Sequence, residues 1–204
     1  FMGTALTIRD LIGERPIFKR EQAVGLSTTA YLLAKVAIFS AFATAQAAIA
    51  TGIVILGKDA PPDPPGPPFF GNASLSLFIT VAFACVASAM FGLMLSAIAQ
   101  SSEQIMPMLV VSIMSQFVLC GALIAVYGRH GLEQVSWVTP ARWGFAAMSS
   151  SIDFPHAVEM KQLPLNDPIW QHSTHILLFD LSMLVVLSIA YFFVIRWYIR
   201  LKPH

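Results

Sequence analysis

Charge is scarce in this chain. Of its 204 residues only 11% are Asp, Glu, Lys or Arg, while 56% are hydrophobic and the mean hydropathy is +0.70. A water-soluble domain carries about a quarter charged residues, so the composition excludes an ordinary soluble domain and points to a bilayer. A net charge of +1 offers no basic surface for nucleic acid. Cysteine is nearly absent: Cys85 and Cys120 both sit in apolar runs, which excludes a disulfide framework. Catalytic signatures are missing as well. There is no GxSxG, no HExxH and no Walker lysine loop, so this segment has no catalytic motif and binds no cofactor of its own. His172 and His175 stand three apart and His130 and His156 share their loop, yet no Cys or carboxylate joins them at metal-ligand spacing, and they read as solvated loop residues. The opening "FMGTALTIRD" has neither a basic leader nor a cleavage site. It reads as the end of an apolar segment, residues 1–8 being the tail of a helix in a piece of a longer chain.

What is abundant is the long apolar run. Residues 31–57, 74–99, 105–127 and 176–199 each exceed the roughly 20 residues that a spanning helix needs. The expected fold is therefore an all-α polytopic membrane bundle, one permease-sized domain with about five transmembrane helices in whole or part. The Pro-rich "KDAPPDPPGPPFFGNAS" links the first two runs as an extended segment in water. "QSSEQ" is a tight turn, and residues 128–175 form a long loop. With residues 9–30 placed in the cytoplasm, eight of the twelve Lys and Arg fall inside: Arg9, Arg15, Lys19, Arg20, Lys35, Arg196, Arg200 and Lys202. That bias predicts cytoplasmic N- and C-termini in the cell membrane. It puts the Pro-rich link and the loop 128–175 outside.

Residues 9–30 contain "GERPIFKREQAVGLST". Pro16 suits the first turn of a helix, where its missing N–H costs nothing, and Gly25 suits the position just past the end. Between them lie about two and a half turns with apolar Ile17 and Phe18 and charged Lys19, Arg20 and Glu21. Composition alone supports a solvated or interfacial amphipathic turn leading into a span.

The longer stretch "GERPIFKREQAVGLSTTAYLLAKV" resembles the first cytoplasmic loop of the type-two ABC exporter permeases, especially the ABCG (White) subfamily. Glu14, Arg15, Phe18, Arg20, Glu21, Gly25, Tyr31, Ala34 and Lys35 stand at the family's places, while Leu26 replaces its usual Tyr. "FGLMLSAIAQSSEQIMPML", "VLCGALI" and "SWVTPARWGFAAM" are similar to the turn between the family's fourth and fifth helices, its fifth-helix glycine element and its outer re-entrant segment. The resemblance extends to members in which forkhead-associated domains and an ATPase precede the membrane part on the same chain. It implies that Glu14, Arg15, Phe18, Lys19, Arg20 and Glu21 form a coupling helix pushed by an ABC ATPase domain, which would hold ATP and Mg. It implies a second copy of this permease, as a homodimer around a central cavity, with Val110, Ile113, Met114 and Phe117 on the path and Ala122 and Leu123 as the outer gate. Spacing alone says only that those four path residues share a helix face, a pattern that packing or lipid contact also explains. The resulting expectation is ATP-driven export of an amphipathic or lipid-like substrate. An ATP-independent carrier or channel is the alternative, and it would need coupling residues inside the spans or internal repeats.

Polar residues inside the runs are few. Thr44, Gln46, Thr51, Ser112, Ser115 and Gln116 read as hydrogen-bonding glue between helices. Ser88, Ala89, Gly92 and Ser96 read as a close-packing stripe. Asp180 is the lone acid in a span and reads as an early-turn acid favoured by the helix dipole.

Overall fold

The computed structural model describes residues 1–58, 72–124, 126–152 and 167–200, without the side chains of Lys19, Lys58 and Arg200. Most of the Pro-rich link, the stretch 153–166 with His156, and Lys202 lie outside the described residues.

Among the described residues every regular element is helical. Three short helices, α1 (Met2–Thr7), α2 (Asp10–Gly13) and α3 (Arg15–Ala23), lead into α4 (Thr28–Lys58). Helix α5 (Ala73–Ile98) is followed by a 3-10 turn at Ser102–Gln104 and by α6 (Ile105–Leu119). The stretch between α6 and the last span holds α7 (Leu132–Ser136), α8 (Pro140–Ser151) and a 3-10 turn at Pro168–Trp170, and α9 (Thr174–Arg200) is the last described helix. Four of these are long and apolar enough to cross a membrane: Thr28–Gly57, Ala73–Ile98, Ser102–Leu119 and Thr174–Ile199. The protein is an all-α membrane bundle.

Helix α5 is its centre, and α1, α2, α4, α8 and α9 all pack against it. One cluster joins Leu32, Met90, Leu93, Ala97, Tyr191 and Ile195 from α4, α5 and α9. A second joins Ala87, Trp143, Ala147, Leu177, Leu181 and Leu184 from α5, α8 and α9. The small-residue stripe on α5 is where α1 and α2 lie. Thr4 Oγ1 donates to Ser88 O at 3.1 Å, Thr7 Oγ1 to Ala89 O at 2.8 Å, and the Ile12 N–H to Ser96 Oγ at 3.2 Å. A Cβ on Gly92 would overlap Thr4 and Thr7, so only glycine permits this approach.

Two expectations are corrected. The run 105–127 is not one continuous helix, because α6 stops at Leu119 and Gly121 follows at φ +91°. Hydrophobicity gave no sign of that corner, since "GALIAV" is as apolar as what precedes it. The hydroxyls of Thr44, Ser112 and Ser115 do not bridge helices; each donates to a carbonyl three or four residues back in its own helix.

Candidate functional site

Helix α3 is cut at both ends by local chemistry. Pro16 occupies its first turn. At the other end the Leu26 N–H reaches Glu21 O and the Gly25 N–H reaches Gln22 O, both at 3.1 Å, with Gly25 at φ +106°. That pair of bonds closes a Schellman motif. Ser27 then starts α4, its Oγ accepting from the Ala30 N–H at 3.3 Å.

The coupling residues expected from the sequence divide into two groups. Glu14, Arg15 and Phe18 turn inward and fasten the segment to the bundle. Arg15 Nη2 donates to Ala97 O at 3.2 Å and to Ala99 O at 2.9 Å, so its guanidinium caps the carbonyl end of α5. Glu14 accepts from Tyr31 Oη at 2.8 Å and pairs with Lys35 Nζ at 2.7 Å. Lys35 also pairs with Asp10 at 2.5 Å. Phe18 is 8% exposed, and its ring lies 4.6 Å from that of Tyr31, centre to centre. Burying such a side chain contributes about 2 kcal/mol.

The electrostatics of this knot are uneven. Burial pushes the Asp10 carboxyl above its ordinary value, and Lys35 offsets only part of that. The hydrogen bond from Lys35, which outweighs burial and is helped by Tyr31, holds Glu14 below its ordinary value. Glu14 is therefore the firm anion of the pair. Asp10 had no role in the sequence reading; the signal that could have found it was its position seven residues before Ile17, one short helix away from the Glu-Arg pair.

Arg20 and Glu21 face the other way. With Ile17 and Val24 they fall at i, i+3, i+4 and i+7, hence on one helix face. Together with Leu26 they line a surface hollow of about 770 Å³. Ile17 and Val24, 54% and 90% exposed, leave apolar surface in it between the two charges. Lys19 is described only as backbone.

The expected path residues lie on α6. Val110, Met114 and Phe117 are exposed and Ile113 is half-buried, while Ser112 and Gln116 on the opposite face are buried. Past the Gly121 corner, Ala122 is half-buried and Leu123 exposed. The loop histidines differ from expectation in part: His175 is exposed, but His172 Nδ1 lies 2.7 Å from Ser150 O and ties the start of α9 to α8. Among the described residues no three His, Cys, Asp or Glu could together hold a metal.

The profile of the ABC-2 type transporter family matches residues 1–152, three-quarters of the chain. The chain belongs to the ABC-2 type transporter family. This ABC-2 domain is also 56% identical over 202 residues to an ABC transporter ATP-binding/permease protein of Mycobacterium tuberculosis. The alignment covers 99% of the chain and 23% of that relative, so the chain spans about a quarter of the relative's length. No solved structure matches it. Within the ABC-2 frame the α3 face and the knot behind it are the candidate site.

Proposed function

We propose that this chain is the membrane-spanning permease part of an ATP-driven exporter. It moves an amphipathic or lipid-like substrate outward by alternating access, driven by an ABC ATPase domain on the same polypeptide that binds ATP and Mg. The working unit is a pair of such permease domains. Helix α3 and both termini are cytoplasmic, as the Lys/Arg bias supports. The relative's name, which joins ATP-binding to permease, supports the ATPase partner.

The observation that carries this reading is the two-sided construction of α3. Its outer face offers Ile17, Arg20, Glu21 and Val24 to a partner. Its inner side is clamped to α5 by Arg15 and to α4 by Glu14 and Phe18. A push on the outer face reaches two spanning helices through short, charge-assisted contacts, which resist sliding better than apolar contacts do. On α6, Val110, Ile113, Met114 and Phe117 form the substrate path, and Ala122 and Leu123 close it outward; the adaptable Met114 suits an amphiphile.

The test separates the two sides. In the full-length protein, the charge swap Arg20→Glu with Glu21→Arg leaves the thermal midpoint of the membrane part within about 2 °C, since exposed substitutions shift stability by less than about 0.5 kcal/mol. It lowers ATP-driven transport at least tenfold while nucleotide still binds. Transport at the wild-type rate would overturn the coupling role. Phe18→Ala is the unsuitable probe, because it empties a buried site and weakens the fold itself.

A further inference from the structure

Beneath the outer turn lies a buried charge cluster that the proposed transport cycle does not use. Arg142 on α8 is 2% exposed and Asp180 on α9 is 0% exposed. The Arg142 Nη2 donates to Asp167 Oδ2 in a charge-assisted bond. Asp167 Oδ1 accepts from the Ile169 N–H at 3.3 Å and so caps the Pro168–Trp170 turn. Nε and Nη1 of the same guanidinium have no hydrogen-bond partner, and neither has either carboxylate oxygen of Asp180. Asp180 nevertheless interacts electrostatically with both Arg142 and Asp167. Two acids thus compete for one cation, and only one of them holds it. Asp180 lies beyond the first turn of α9, which carries no acid, so the helix dipole does not account for it.

An unpaired carboxylate in so dry a place is costly, and so is a guanidinium with idle donors. A second position of the guanidinium, against Asp180, would pair that carboxylate in turn. The surroundings fit such a movement. A Cβ on Gly121 would overlap Arg142 Nη1, so the glycine corner after α6 rests directly on the guanidinium, and the Trp170 indole lies beside it. Moving the guanidinium would loosen the Asp167 turn and the Gly121 corner together.

We propose that Arg142 is a two-position latch: here it closes on Asp167 and holds the Pro168–Trp170 turn against the bundle, and in a second conformation it closes on Asp180 and releases that turn and the Gly121 corner. The inference does not rest on the exporter reading, since it needs neither nucleotide nor transport.

The test is hydrogen exchange of the Ile169, Trp170 and Gln171 amides in the full-length protein, held in lipid nanodiscs without nucleotide. Asp180→Asn keeps the shape and removes the second acceptor. Opening of the turn then leaves Arg142 unpaired, and exchange at the three amides slows at least about tenfold. Asp180→Glu restores the acceptor and brings exchange back toward the wild-type rate, while amides in the middle of α5 are unchanged in both variants. Exchange in Asp180→Asn that is unchanged or faster overturns the latch. A lowered thermal midpoint in Asp180→Asn does so too, because it would mean that the carboxylate is already paired in the resting protein.

Discussion

Glu14 and Asp10 show how two carboxylates on one lysine can act in opposite senses. Glu14 titrates below its ordinary value, so its contribution is complete above the unfolded-state pKa and is lost as pH falls through the lower folded value. Asp10 titrates above its ordinary value, so its ionised form costs stability, and that cost disappears as pH falls. The docked loop should therefore stay protected as the pH drops from 7 through the ordinary carboxylate range, and open only once Glu14 takes up a proton. The amide of Ile12, bonded to Ser96, reports it by its protection factor. In Glu14→Gln the acid-triggered release is lost, because the remaining carboxylate, Asp10, gains stability as it takes up a proton. A release at the same pH in both proteins would show that Glu14 does not set it.

Among the elements, the crossing of α1 and α2 over α5 is set by what is small. Gly92 leaves no room for a side chain, and Gly3 would meet the α5 backbone at Cys85 and Ala89. Gly92→Leu must push α1 off α5 and break the bonds of Thr4 and Thr7 to Ser88 and Ala89. The expected loss is about 3 kcal/mol, from overpacking and from hydroxyls left unpaired. It is read as the shift of the denaturation midpoint of the purified protein. Gly57→Leu, at a site with open space around it, is the control and should change little.

For the whole molecule, the uneven coverage of the spans matters most. In the most apolar stretch of each span, 39% of the α5 residues are buried, but only 17% in α4 and 22% in α6. The exposed Val110, Met114 and Phe117 face of α6 is left for lipid, substrate or a second copy. On the proposed reading, Phe117→Ala changes the stimulation of ATP hydrolysis by substrate in the full-length protein severalfold without altering unstimulated hydrolysis. Unchanged stimulation would remove Phe117 from the path and return that face to lipid.

Much of this was legible in the chain itself. Four apolar runs, the scarcity of charge, and Pro16 and Gly25 around one short helix determined an all-α membrane bundle and the position of α3, because hydrophobic length and backbone restriction are local properties. The small residues of α5 also announced a tight crossing. What only the tertiary structure decided is which side chains meet. Glu14, Arg15 and Phe18 read alike with Arg20 and Glu21 as one charged and aromatic motif, yet the packing of α3 on α4 and α5 turns the first three inward and the last two outward. The end of α6 at Leu119 escaped hydropathy because a left-handed glycine breaks a helix without changing its polarity. In the sequence Arg142 has no role of its own, and Asp180 reads as a dipole-stabilised acid. Arg142 and Asp167 stand 25 positions apart along the chain, and Arg142 and Asp180 38 apart, and no periodicity in a sequence encodes a cluster built from two helices and a turn.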